Sequence, residues 1–380
     1  MDALTLLKEI FTLTTEQKFP DIHLNTGFFP IIRNHSWDLI KVEFLEKIVW
    51  QKTLENWEVE NIIQKTELRK LTKEMVTDII IEIAWKEWLE KFEQEMELDT
   101  SYKFENFDRY RVNCYMDSFW YSIALRIIPS KIPTMEDLSL WEWIKEMCKK
   151  NKWLILVTWP TWSWKSTNLA AMIDFMNKTF QKHIITIEDP VEFAFTSDKC
   201  LINQREIWNH TKWFSQAIRA SLREDPDIIM VWEMRDPETI KAAITLAETW
   251  HLVLSTLHTN DTVQSVDRII DVFPSTQQDQ IRMQLAMSLV WIISQRLLPR
   301  IDKEWRIAAR EVLVANDAVR NLIITWKTHQ LYSVIEVSSK QWMILMDKYL
   351  MFLFQKNVIS KETLMSYVRD KEWVEMLLNE

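Results

Sequence analysis

The chain has 380 residues, with 46 Lys plus Arg against 55 Asp plus Glu and a net charge of −9. At about 150 residues per domain this suits two or three domains with their own cores, and the acidic balance excludes a general binder of nucleic-acid backbone or acidic lipid. Cys114, Cys148 and Cys200 are odd in number and far apart, which excludes a disulfide framework and a paired-cysteine zinc site and predicts a reducing compartment. One figure is anomalous: a single Gly, Gly27, stands against 21 Trp, where usage of about 7% gives roughly 27 glycines. Backbone with φ > 0 and close approach to a ligand both call for Gly, so either the fold avoids such positions or some Trp letters are not Trp.

Along the chain, Met1–Ile10 has no basic leader, and polar residues break every apolar run before about 18 residues, so neither a signal peptide nor a membrane span is expected. Residues 1–130 mix short strand-like runs with a charged stretch, 43–98, whose Glu/Lys content and spaced apolar residues predict amphipathic helices with solvated faces. Pro129 and Pro133 mark a linker, because proline disfavours helix in the residue before it; the domain boundary falls near 133. From 153 onward, apolar runs at 153–158, 184–188, 227–232 and 252–257 alternate with helical patterns at 166–178, 214–224, 237–249 and 262–272. That alternation predicts an α/β domain with a mostly parallel sheet flanked by helices. A phosphate site would lie outside the strand C-termini, at a helix N-terminus.

The sharpest local signal follows the first of these runs. Trp159, Pro160, Thr161, Trp162, Ser163, Trp164, Lys165, Ser166 and Thr167 have the spacing of a P-loop, GxxxxGK[ST]. In that motif backbone N–H groups wrap the phosphates, Lys reaches the β/γ-phosphates and the Ser/Thr hydroxyl binds Mg²⁺. Literal Trp fits badly: left-handed backbone costs an L-residue roughly 1–2 kcal/mol, and an indole competes with phosphate for the loop interior. A buried strand followed by an aromatic turn leaves Lys165-Ser166-Thr167 unexplained.

With Gly read for Trp, residues 157–167 become V-T-G-P-T-G-S-G-K-S-T and resemble the Walker A motif of the type II/IV secretion ATPase superfamily, nearest to its type IV pilus retraction (PilT) family. His183–Phe193 resembles that family's Asp box, and Leu201–Glu206 follows it. Ala217–Asp236 resembles its Walker B segment, Ala247–Thr259 its His box and Ala318–Ile323 its AIRNLI motif. Trp stands where the family pattern has Gly at 37, 120, 153, 159, 162, 164, 208, 232, 250, 291, 305, 326 and 342. A gene from a lineage that reads UGA as glycine, rendered with UGA as tryptophan, accounts for all thirteen. Trp50, Trp57, Trp85, Trp88 and Trp143 sit in helical-looking apolar patterns and read as authentic.

The resemblance implies a PAS-like α+β N-terminal domain over 1–133 and a RecA-like P-loop ATPase domain with terminal helices over 134–380. It implies ATP and Mg²⁺, with Lys165 on the β/γ-phosphates and Ser166 and Glu233 serving the metal. Glu188 becomes the base that activates water, although both acids end apolar runs and the division of roles stays open. His258 is implied as a phosphate sensor and His251 as a weaker one; seven residues apart on a strand they face opposite ways unless the strand ends before His258. Arg109, Arg111 and Arg126 resemble residues that reach a neighbouring subunit's nucleotide, or else they pair with surface acids. The implied assembly is a homohexamer at the cytoplasmic face of the inner membrane, acting on pilin through a membrane platform protein. The absence of a long N-terminal extension and of CxxC pairs favours retraction over the alternatives, a pilus-assembly or type II secretion motor. With genuine Trp in the P-loop, a catalytically dead hexamer subunit is the remaining reading.

Overall fold

The first unit, Met1–Lys131, begins with α1 (Ala3–Gln17), whose Leu6, Leu7, Ile10, Phe11 and Thr14 recur at helical spacing and are buried. The computed structural model describes all residues except 1, 18, 35–37, 54–58, 85, 105–106, 108, 129–131, 139, 141, 151, 159–164, 208, 303–305 and 380. The proposed linker at Pro129 thus falls partly outside the described residues. After α1 come β1 (Asp21–Asn25), β2 (Ile31–Arg33), β3 (Leu39–Lys41), β4 (Phe44–Thr53), β5 (Val59–Glu67), α2 (Lys73–Ala84), α3 (Lys86–Glu95), β6 (Glu97–Lys103), β7 (Arg109–Asp117) and β8 (Trp120–Ile128). Six of the strands form an antiparallel sheet in the order β3-β2-β1-β8-β7-β6. Its apolar face packs on α1 and α2 through Ile22, Leu24, Val112, Ile79 and Ile80, with Phe11 stacked on Tyr110 at 4.2 Å between ring centres.

The helices expected over 43–98 are only half right. Residues 73–84 and 86–95 are helical, but β4 and β5 form a hairpin of their own, with Phe44 opposite Glu67 and Thr53 opposite Val59. The β-branched residues Ile48, Val49, Thr53, Val59, Ile62 and Ile63 lose side-chain freedom in a helix and favour a pleated ladder, and here they outweigh the Glu/Lys content.

The second unit, Ile132–Glu380, runs α4 (Glu142–Cys148), β9 (Trp153–Thr158), α5 (Lys165–Thr179), β10 (His183–Glu188), β11 (Leu201–Glu206), α6 (Phe214–Ser221), β12 (Ile228–Val231), α7 (Pro237–Glu248), β13 (Leu252–Leu257), α8 (Thr262–Asp271), α9 (Ser275–Ser288), β14 (Leu289–Pro299) and β15 (Arg306–Val314). It ends in α10 (Asp317–Ile324), α11 (Leu331–Val337), α12 (Met346–Gln355), α13 (Lys361–Tyr367) and α14 (Lys371–Asn379). The sheet order is β11-β10-β12-β13-β9-β14-β15, parallel except for the last strand. Helices cover both faces, which is why these strands read as unbroken apolar runs. Leu154 and Leu156 of β9 enter one core with Ile240, Ile269 and Leu285, while Ile155 and Val157 enter the other with Ile144, Leu169 and Ile173.

Two buried polar clusters tie these layers together. Asn168 of α5 donates to Gln295 Oε1 (2.8 Å), which also accepts from Arg310 Nε (3.0 Å), while Arg310 Nη2 donates to the Leu138 carbonyl (2.8 Å). Glu311 of β15 accepts from the backbone N–H and hydroxyl of Thr262 at the start of α8 (2.8 and 2.7 Å) and from the Met346 N–H at the start of α12 (3.1 Å).

The backbone bears directly on the tryptophan anomaly. Trp120 (φ 139°), Trp153 (106°), Trp250 (70°), Trp326 (62°) and Trp342 (68°) all have positive φ, and each is one of the thirteen positions where the resemblance implies Gly. Among the described residues, no tryptophan outside that set does. Trp250 and Trp326 follow the C-cap residues Thr249 and Thr325, where a helix reverses into left-handed backbone and Gly is the usual occupant. Behind Trp326 the Lys327 N–H donates back to the Leu322 carbonyl at 3.0 Å, the bond that closes such a reversal. Trp291 has ordinary φ, but its buried Nε1–H has no partner. Trp232 shows neither sign. Trp37, Trp159, Trp162, Trp164, Trp208 and Trp305 lie outside the described residues.

Trp250 and Trp342 are 74% and 60% exposed, so little packing offsets their strain. Trp250→Gly and Trp342→Gly should each raise stability by about 1 kcal/mol in urea denaturation. Trp326→Gly should gain less, because its indole covers Arg282 at 3.7 Å and donates to Asp279. Trp213→Gly, where φ is −144°, should gain nothing.

Candidate active site

Parallel register decides which residues meet. Ile187 lies opposite Val231, Val231 opposite Ser255 and Leu257 opposite Thr158, so β10, β12, β13 and β9 end together. Glu188 is the last residue of β10, Glu233 lies two residues beyond β12, and His258 is the first residue after β13. At the same edge β9 ends at Thr158 and α5 opens at Lys165, the arrangement in which open α/β sheets bind ligands. The loop residues Trp159, Pro160, Thr161, Trp162, Ser163 and Trp164, and the side chains of Lys165 and Ser166, lie outside the described residues. Thr167 is half-buried in the first turn of α5.

Glu233 is buried and tied down on both oxygens. Oε2 meets Arg235 Nη2 at 2.7 Å and Oε1 meets His258 Nε2 at 3.3 Å. The loop carrying it is fixed to β13: the Met234 N–H donates to the Thr256 carbonyl at 3.2 Å and the Thr256 hydroxyl donates to the Trp232 carbonyl. Beyond His258, the hydroxyls of Thr259, Ser265 and Thr158 form a chain at 2.6 and 3.4 Å, joining the turn after β13 to the end of β9.

Glu188 has a different environment. It is 2% exposed, and its Oε1 accepts from the Thr186 hydroxyl at 2.6 Å and from Gln204 Nε2 at 3.0 Å. Burial pushes its pKa up to about 7, against the opposing hydrogen bonds from Thr186, Gln204 and the Glu192 N–H. A carboxyl group poised there takes and releases a proton near neutrality, as a general base must. Two acids expected at the site thus differ physically: burial raises the pKa of Glu188 to about 7, whereas Glu233 is paired with an arginine and a histidine.

The structure does not bring His251 to this cluster. β13 does end at Leu257, just before His258, but the strand lies between His251 and His258, so the two sit at opposite ends of it, about 23 Å apart at 3.3 Å per residue. His251 Nδ1 lies 3.2 Å from both the Leu246 carbonyl and the Thr249 hydroxyl, at the end of β13 away from Glu233 and His258. Arg109, Arg111 and Arg126 all belong to the first unit. Arg111 and Arg126 lie opposite one another on β7 and β8; Arg126 forks onto Asp21 at 2.7 and 3.3 Å, and Arg109 donates to Ser101.

Sequence reasoning gave Gln204 no role. Its only signal was a polar residue inside a short strand beside the Asp-box segment. A metal at this edge would find the buried carboxylate of Glu233, which stands beyond its strand, the Glu188 carboxyl beside it, and hydroxyls; among the described residues no group of three or more His, Cys, Asp or Glu could hold an ion by itself. That donor set fits Mg²⁺, which takes few protein ligands and completes its shell with phosphate and water.

Residues 110–341 match the family described as "Type II/IV secretion system protein". Over 94% of this chain and 96% of its own length, the type IV pilus retraction ATPase PilT of Pseudomonas aeruginosa is 39% identical. The chain belongs to the PilT family of secretion ATPases. A twitching motility protein of Neisseria gonorrhoeae is 41% identical over 79% of this chain and 80% of its own. The crystal structure of the pilus retraction motor PilT with bound ADP superposes with a TM-score of 0.83 at 37% identity, covering 97% of this chain and 98% of that one. Family membership accounts for the whole architecture, the RecA-like sheet and the N-terminal α/β domain alike. Among the described residues no helix is long and apolar enough to cross a membrane.

The raised pKa of Glu188 has a stability consequence. Unfolded, its carboxyl ionises near 4.5, and folded near 7, so rising pH favours the unfolded chain across that window. Glu188→Gln should therefore be stabilising by up to roughly 3 kcal/mol at pH 8 and nearly neutral at pH 4.5, read from urea midpoints at both pH values.

Proposed function

We propose that the chain is a homohexameric motor ATPase that drives type IV pilus retraction at the cytoplasmic face of the inner membrane, removing pilin through a membrane platform protein and using no nucleic acid. The observation that carries this reading is the convergence of Glu188, Glu233 and His258 on the strand edge where β9 passes into α5. Relatives of nearly the same length bear the names pilus retraction ATPase and twitching motility protein, which supports the substrate assembly.

In this reading glycine occupies the thirteen family-glycine positions of the working protein. The five left-handed tryptophans and the orphaned Trp291 indole support it. Residues 159–164 then wrap the phosphates, Lys165 balances charge on the β- and γ-phosphates, and Ser166 and Glu233 hold Mg²⁺, which when bound neutralises charge on the phosphate oxygens. Glu188 takes the proton of the attacking water. His258, 3.3 Å from Glu233, senses the γ-phosphate through that carboxylate. Arg109, Arg111 and Arg126 serve a neighbouring subunit's nucleotide, which makes hydrolysis at one site dependent on the next subunit's position. The printed tryptophans favour one other reading, a nonhydrolysing subunit within an active hexamer.

Mass spectrometry of native protein separates the two. The tryptic peptide Trp153–Lys165 holds four of the suspect positions and is expected to be lighter by four Trp-to-Gly differences; the printed mass would mean that no P-loop exists. For a chain made with Gly at the thirteen positions, Lys165→Ala should abolish ATP hydrolysis, and Glu188→Gln should lower kcat by about 10²-fold or more. Because Glu188 must be ionised to act, kcat/KM for the parent should rise with pH through a midpoint near 7, and Glu188→Gln should flatten that limb.

A further inference from the structure

Gln204 makes three hydrogen bonds with one amide. Its Nε2 donates to Glu188 Oε1 (3.0 Å) and to the Phe193 carbonyl (2.8 Å), and its Oε1 accepts from the Phe195 N–H (2.8 Å). It sits in β11, directly opposite Thr186 of β10, so it approaches Glu188 from the next strand while Thr186 approaches from within its own. Both side-chain donors converge on the same carboxylate oxygen. Two residues on, on the same face of β11, the buried Glu206 accepts from the Val191 N–H at 3.1 Å. The edge strand therefore pins the 189–195 loop at residues 191, 193 and 195, and the central pin also fixes the carboxylate of Glu188.

We infer that Gln204 is a positioning residue for ATP hydrolysis, locking the Glu188 carboxylate in one orientation and making that orientation depend on the seating of the 189–195 loop. Each amide proton has one acceptor, so Nε2 cannot leave Phe193 for solvent without rotating the group that also holds Glu188. An orienting amide of this kind changes the chemical step and leaves nucleotide affinity alone, since among the described residues it meets the other groups of this edge only through Glu188.

The inference rests on the hydrolytic reading above, and the test keeps the two apart. In the hexameric chain with Gly at the thirteen positions, Gln204→Leu should lower kcat tenfold or more with KM for ATP changed less than twofold. Gln204→Glu, which keeps the length but sets a second carboxylate beside Glu188, should lower kcat likewise, and it serves if the Leu variant fails to fold. In a Glu188→Gln background neither substitution should reduce the residual rate further, because the group through which Gln204 acts is gone. A parent without Lys165-dependent hydrolysis overturns the hydrolytic reading and this inference with it. An active parent whose kcat is untouched by both substitutions, whose KM moves with kcat, or whose losses add to that of Glu188→Gln overturns the inference alone.

Discussion

The register of β9, β10, β12 and β13 governs where every charged group of the second unit's site can stand. With helices packed on both faces, these strands bury almost every side chain they carry, at roughly 1.5–3 kcal/mol for each large aliphatic group. Polar chemistry is thereby expelled to the strand ends. The first residues beyond the apolar runs, Glu188, Glu233 and His258, become a cluster although 45 and 25 residues separate them along the chain. Their contrasting environments follow from small differences in where each strand stops. β10 ends on Glu188 itself and keeps it inside the sheet; β12 ends two residues short of Glu233 and leaves its carboxylate within reach of Arg235 and His258.

Backbone handedness is the second constraint. Helices α7 and α10 and the turn at Ser339–Gln341 all reverse through left-handed residues, and the chain places its bulkiest side chain at each reversal. The fold tolerates this because the residues at 250 and 342 are largely exposed and the half-exposed indole at 326 lies along the surface against Arg282 and Asp279. Inside a phosphate-binding loop no such escape exists, since the space in front of the backbone is where the ligand must sit. Trp291 marks the intermediate case, a side chain enclosed in the sheet with its one donor unmet.

Much of the second unit was legible because fully buried parallel strands leave continuous apolar runs; the four expected strands and four expected helices fall within a few residues of the observed ones. The hairpin β4–β5 was not, because its charged residues mimic a solvated helix face and only its β-branched content argues otherwise. His251 shows the limit of motif reasoning: two histidines share a segment, yet a six-residue strand carries them to its opposite ends. Gln204 shows another, since a lone amide has no spacing rule and its approach to Glu188 follows from its register opposite Thr186.

The buried Glu311 carboxylate holds two helix starts at once, Thr262 of α8 and Met346 of α12. The turn that carries His258 leads straight into α8, so the strand edge that holds Glu233 and the C-terminal helix α12 share a single rivet. Because Glu311 is itself a residue of β15, the start of α8 and the start of α12 are tied to one strand of the sheet, and while these bonds hold neither helix start shifts without the other. The terminal helices are in this sense part of the engine's linkage and not its housing.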